Sequence, residues 1–449
     1  MTRRELLAFP LAAAAAADSR KKLDERAWDA AHDKLNIRHS PKMHTDRTEA
    51  FLKVPEPYAE ARDFDVARTP PEIGFGLVQG LEPEYLSDIS TPRSEGAYGG
   101  WGDVSRGPDG CFYFSIGNHM SYDGGTAYII RYDPATRSQS IVVDTKKLFG
   151  WGGDDYADGK LHGDFDFAPN GDMWAITYFG PAPKPEDWHT SYRGGSLFRY
   201  NAFTKAIDKF GLVFEGDSWP YHNWDGQRHL FFAIGHRGNV LVYDTEEKRI
   251  LYGGWPPDGI RWFNRAILID RETGLVYSTD TSREPEHKDR LVRYQRRNNH
   301  FARMNARVPN HPVTGKSGAL RAHTERKDER GAFWCFDMAG TFFRFYPAED
   351  KTELVGLNWG HSGKYATNVS MSPKGRYLYY LPGADRRAYQ YGTPVVQYDT
   401  KANRKKVIAF LYDHYLDKYG YSALGTYGLE LDEKGESLFF FMDGRFTTR

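Results

Sequence analysis

Residue types that move protons and bind negative charge recur along this chain at comparable distances from aromatic strands. His119 follows Ser115-Ile116-Gly117-Asn118, Tyr178 sits in Thr177-Tyr178-Phe179-Gly180, and Arg193 sits in Tyr192-Arg193-Gly194-Gly195. Around them in sequence come His162, Tyr221 with His222, His236 with Arg237, Arg261 with Arg265, Tyr365 and Tyr427. Such a set suits a carboxylate-bearing ligand. A guanidinium grips a carboxylate as a fork, and a phenol or imidazole beside it can carry a proton. A second constellation pairs His323 with Cys335, and His300, His311 and His361 are further donors of the same kind. His and Cys together suit zinc, read here as structural because no open coordination position can be inferred. Asp154, Asp155 and Asp158 would suit calcium, but they lack the spacing of a known calcium loop, so a solvated acidic turn is the plainer reading.

For these residues to meet, separate stretches must be carried to one surface, and repetition supplies the means. A short strand, a glycine turn and an aromatic strand recur seven times, with turns at Gly110, Gly171, Gly226, Gly274, Gly331, Gly375 and Gly435. A third strand often follows and ends in a Tyr-Asp-like step, as in Ile130-Arg131-Tyr132-Asp133 and Val242-Tyr243-Asp244. A fourth, such as Ile141-Val142-Val143, completes the unit. Four strands at a period of roughly fifty residues describe a propeller blade. The expectation is therefore an all-β, seven-bladed β-propeller of four-stranded blades. The seventh copy ends at Arg449 after two strands, so an N-terminal segment near residues 65 to 95 is expected to close the ring. The large aromatic complement (29 Tyr, 28 Phe, 11 Trp) and 45 Gly favour strands and tight turns over helices.

Blade topology sorts loops by face. Connections from second to third strand, and from one blade to the next, share the face opposite the glycine turns. His119, Tyr178, Arg193, His162, Tyr192, His222, His236, Arg265 and Tyr365 are thereby expected at one mouth of the channel. In this order and context, His119, Tyr178 and Arg193 make the chain from about residue 95 resemble the propeller-type polysaccharide lyases, particularly the ulvan lyases. The resemblance implies β-elimination at a uronate. Tyr178 would take the C5 proton as phenolate and return it to the departing O4, while His119 and Arg193 neutralise the carboxylate. His119 as base with Tyr178 as acid is an alternative, and Tyr192 could stand in for Tyr178. His162, Tyr192, His222, His236, Arg265 and Tyr365 would bind substrate. A structural zinc, held by His323, Cys335, His311 and His361, is also in keeping with the resemblance.

The remaining sequence bounds these readings. Arg3-Arg4 followed by the apolar run Leu6 to Ala17 describes a twin-arginine export signal over residues 1–17, hence a periplasmic or secreted protein. Residues 18–64 form a polar segment in which Leu23, Trp28, Ala31 and Leu35 are spaced as on one helix, and residues 65–449 form the propeller. A formal net charge of zero argues against nucleic acid or an anionic membrane as partner; an anionic polysaccharide is the expected partner, and the sequence leaves the oligomeric state open, with a monomer compatible. Cys111 and Cys335 fall in different repeats and imply no disulfide framework. Two other functions share this architecture. One is a metal-dependent propeller hydrolase or lactonase; the other is a non-catalytic glycan-binding propeller.

Overall fold

The computed structural model describes residues 43–59, 63–78, 99–100, 102–118, 125–152, 155–188, 190–360, 363–383 and 393–446. They form an all-β propeller. Six sheets follow one another along the chain, each built by successive antiparallel pairing from its first strand outward. The first sheet comprises Val104–Arg106, Phe112–Gly117, Ala127–Asp133 and Ser138–Asp144. The second comprises Lys160–Leu161, Asp172–Tyr178, Leu197–Asn201 and Ile207–Gly211, and the third Tyr221–Asp225, Leu230–Ile234, Val240–Asp244 and Arg249–Gly254. The fourth holds Leu268–Asp270, Leu275–Thr279, Arg290–Gln295 and His300–Arg307, and the fifth Leu320–His323, Phe333–Asp337, Thr341–Tyr346 and Lys351–Leu357. The sixth holds Ser370–Met371, Tyr377–Tyr380, Pro394–Asp399 and Arg404–Phe410.

The repeating turns explain the repeating sheets. Six of the seven turn glycines adopt left-handed φ between 70° and 89°, a region that side chains disfavour. Aromatic strands then pack sheet against sheet. Tyr113 meets Phe167 and Tyr200 between the first and second sheets, and Phe336 meets Tyr380 between the fifth and sixth. Burial of such rings stabilises each joint by roughly 25 cal/mol per Å² removed from water.

One expectation is met in part and one needs correction. Where seven four-stranded blades were expected, the described residues form six, plus a two-stranded hairpin of Tyr421–Leu431 and Leu438–Phe446. That hairpin lies between the sixth and first sheets. Thr367 donates to the Thr426 carbonyl on one side, and Phe114 stacks on Phe441 on the other, 4.9 Å between centroids. The N-terminal segment also pairs elsewhere than expected. Phe64–Val66 runs parallel to Arg404–Phe410 and adds a fifth, outermost strand to the sixth sheet. Its register is set by ion pairs of Asp65 with Arg404 and Asp63 with Lys405, and by Phe64 stacked on Trp359 at 5.0 Å. Ile73–Phe75 pairs with His44–Asp46 instead of with the hairpin. The export signal, the helix expected near Leu23 to Leu35, and residues 79–98 lie outside the described residues. Among the described residues no helix is long and apolar enough to cross a membrane.

Candidate functional site

The strand Asp172–Tyr178 ends at the ring face formed by second-to-third-strand loops and sheet-to-sheet connections, and Tyr178 is its last residue. Its ring is nearly buried, and its hydroxyl lies 3.5 Å from Nδ1 of His236, two residues past the strand Leu230–Ile234. Two cations approach the same ring: Lys160 at 5.1 Å and Arg265 at 5.9 Å from its centroid. His162 meets it edge-on and accepts a hydrogen bond from Arg265 at 3.0 Å through Nε2. A guanidinium can only donate, so Nε2 is the bare nitrogen and Nδ1 carries the proton.

Neighbouring residues hold this arrangement in place. Asp217, just before the third sheet, accepts from the backbone N–H groups of Ser218, Arg237 and Asn239 and from the Asn239 side chain. This clamp fixes the turn that presents His236. Ser218 accepts from the Phe179 N–H at 3.1 Å and from the Tyr192 hydroxyl at 2.6 Å, anchoring the segment after Tyr178. Arg321 donates to the Arg265 carbonyl at 3.0 Å and to the Tyr365 hydroxyl at 2.7 Å.

Burial holds the Tyr178 phenol above its ordinary value, with Arg265 pulling the other way. Burial, then Arg265 and Lys160, push His236 below the ordinary imidazole value, and burial followed by Arg265, Arg321 and Lys160 pushes His162 well below it. At neutral pH the site therefore holds a protonated phenol beside neutral imidazoles, under fixed positive charge. A neutral imidazole can take a proton, a phenol can give one, and the cations can hold an anionic group.

The structure brings together Tyr178, His162, His236 and Arg265 from the expected set. Tyr192 lies close by but points inward, its phenol pushed well up by burial and by Asp158. Arg193 is placed elsewhere. It is exposed and grips Glu215 at 3.0 and 3.1 Å, because neighbouring residues on an extended segment point opposite ways and Tyr192 takes the inward position. His222 does not face a ligand. Tyr221 and Asn223 point to Asp164 at the channel, so His222 between them faces the sheet interior against Phe231 and Phe165. Tyr365 accepts a hydrogen bond from Arg321, which in turn holds the Arg265 carbonyl. His119 and His361 lie outside the described residues.

His323 and Cys335 are direct cross-strand partners. Both imidazole nitrogens of His323 face backbone carbonyls, of Thr324 at 3.2 Å and Ile267 at 3.1 Å, and burial pushes its pKa down to about 4. Burial pushes the Cys335 thiol up, away from the thiolate that zinc requires. His311 caps a turn, its Nδ1 accepting from the N–H groups of Val313 and Thr314. Among the described residues no three His, Cys, Asp or Glu side chains converge on a point that would hold a metal ion, and of the four expected ligands His361 lies outside those residues. Of the acidic stretch, Asp154 lies outside the described residues, Asp155 caps the Gly152 N–H, and Asp158 is buried against Thr177 with its carboxyl pushed up to about 7.

Sequence reasoning missed the throat beneath this mouth. Asp103, Asp164, Asp166, Glu325 and Glu430 line the central channel with Arg271, Asn223 and Asn368. Burial and mutual repulsion raise four of the carboxyls, Asp164 to about 8. The alternation Asp164-Phe165-Asp166-Phe167 was the available signal, since period-two spacing sends both carboxylates to one side.

The fold and the mouth together define a β-propeller carrying a Tyr-His-Arg-Lys cluster on one face. No family model and no curated protein matches the chain. Among solved structures it is similar to a chain in a crystal structure of the mitotic checkpoint complex, at 7% identity over 84% of this chain and 97% of that one, with a TM-score of 0.48. At that level the likeness carries no argument about activity.

Proposed function

We propose that this protein is a polysaccharide lyase that cleaves an anionic, uronate-containing polymer by β-elimination. The observation that carries the reading is the Tyr178 hydroxyl 3.5 Å from His236 with Arg265 and Lys160 over the same ring. Arg265 and Lys160 hold the uronate carboxylate, which makes the C5 proton acidic. Neutral His236 takes that proton, and the electron pair of the C5–H bond becomes the C4–C5 double bond. The C4–O4 bond breaks, and Tyr178 protonates the departing oxygen. This assigns the cationic role to Arg265 and the base to His236. Incubation with ulvan, glycosaminoglycans, pectin or alginate should raise ultraviolet absorbance, because the product carries a conjugated double bond. No rise with any of them would sink the reading.

The terminal hairpin is read as the inner half of a seventh blade, and the Arg3-Arg4 pattern as export, which suits a polymeric substrate. The other reading, a metal-dependent propeller hydrolase or lactonase, predicts cleavage without new absorbance, abolished by chelator; among the described residues no three His, Cys, Asp or Glu side chains converge to hold its metal.

A further inference from the structure

The connection between the third and fourth sheets carries a second aromatic-cationic unit that the chemistry at Tyr178 does not use. Trp255 is 51% exposed, although its ring already lies against Arg261, with the guanidinium carbon 3.8 Å from the ring centroid. One indole face lies against Arg261, and half of the residue's surface is still exposed. The loop is rigid. Trp255 stands between Gly254 and Pro256-Pro257, and Tyr252 donates from its hydroxyl to the Trp255 carbonyl. Ile260 and Trp262 are buried beneath the loop. Asp280 accepts from the Arg261 N–H at 3.0 Å and from Arg303 at 2.6 Å, and Arg303 also holds the Asp258 carbonyl. Among the described residues Arg261 has no carboxylate partner. Four residues further on, the same segment delivers Arg265 to His162 and Tyr178.

The geometry points to Trp255 and Arg261 as a subsite for an acidic polysaccharide, which continues from Tyr178 across this connection. The inference rests on the reading of the Tyr178 mouth as an acidic-glycan site and names where its next sugar binds. The C–H face of a pyranose lies on the exposed indole surface, and its carboxylate or sulfate pairs with the guanidinium. A side chain held rigid before binding loses little conformational freedom on binding, which favours a platform of this kind.

Affinity electrophoresis of the full chain through gels containing alginate, polygalacturonate, ulvan or chondroitin sulfate, with dextran as the neutral control, tests this. Wild type should be retarded by at least one acidic polymer and not by dextran. Trp255→Ala and Arg261→Ala should each weaken that retardation by roughly tenfold in Kd, with Trp255→Phe restoring part of it. Arg261→Ala should also reduce the salt dependence of binding. Thermal unfolding confirms that the variants fold, and Arg261→Ala carries the test if Trp255→Ala does not. Retardation of wild type and both alanine variants alike would overturn the subsite while leaving the Tyr178 reading intact. Equal retardation by dextran would overturn its acidic specificity. Free passage of wild type through every acidic gel would remove both readings together.

Discussion

At Tyr178 two influences oppose each other. Burial keeps the proton on the phenol, while Arg265 favours its loss, and the net result lies above the ordinary value of 10.0. The neighbouring His236 is driven the other way, below 6.5, so the pair is set as acid and base without either being charged. Replacing Tyr178 with Phe keeps the ring under Lys160 and Arg265 but removes the proton, and turnover should fall by about 10²–10⁴, measured as the rate of absorbance rise. A variant that kept wild-type turnover would remove Tyr178 from the chemistry. The pH profile follows from the sign of the His236 shift. The base works when neutral, and a folded pKa below 6.5 keeps it neutral into more acid solution. The acid limb should therefore have its midpoint below 6.5, and His236→Gln should abolish that limb with most of the rate. A midpoint at or above 6.5 would point to another base.

Single elements decide whether these side chains meet. The turn after Leu230–Ile234 is held by one carboxylate, Asp217, against which even a methyl group on Gly235 would collide, at 2.0 Å from Oδ2. Asp217→Ala strips acceptors from the Ser218, Arg237 and Asn239 N–H groups at once. The expected cost is about 1.5–3 kcal/mol in urea denaturation, with a drop in turnover because His236 loses its support. Unchanged stability would show that the turn holds without its clamp. The strand Phe64–Val66 poses a parallel question on the sixth sheet. Phe64 is nearly buried on Trp359, and Phe64→Ala should cost about 3–5 kcal/mol if the strand is integral to the fold. A change below about 0.5 kcal/mol would mark it as peripheral.

Over the whole ring, positive charge at the mouth stands above carboxylates in the throat. Burial and mutual repulsion favour the protonated form of four of those carboxyls, so the charged groups of the proposed site are the cations at the mouth. The same distribution makes stability depend on pH from both sides. His222 and His323 are buried neutral, with folded pKa values of about 3 and about 4 against 6.5 when unfolded. Their contribution is complete above 6.5 and is lost as pH falls toward those values. The channel carboxyls act oppositely. Asp164 holds its proton up to about 8 against 3.8 when unfolded, so its contribution is complete below 3.8 and is lost as pH rises through about 8. Glu430 is raised in the same direction by burial and by Glu325 and Asp166. Glu430→Gln should therefore raise the melting temperature relative to wild type at pH 8–9 and much less at pH 5. Equal differences at both pH values would show that Glu430 is not protonated in the folded ring.

The propeller was legible because its signals are local. A left-handed turn needs glycine, and a strand packed between sheets shows aromatic and β-branched residues at fixed offsets, so each hairpin announces itself within about fifteen residues. Facing of loops followed from the same pattern and found Tyr178, His162, His236 and Arg265. It failed where the decision was not local. Arg193 carries the right group on the right loop, but Glu215, distant in sequence, takes it. Phe64–Val66 matches an outer strand, but Asp63 and Asp65 find Lys405 and Arg404 on the sixth sheet. His323 and Cys335 were correctly placed opposite each other, yet the imidazole lies between the carbonyls of Thr324 and Ile267. The sequence by itself determined the repeating sheet, the turn chemistry and the face on which polar loops gather. Only the tertiary structure decided which charges are already paired there, because pairing depends on distances between segments far apart in the chain.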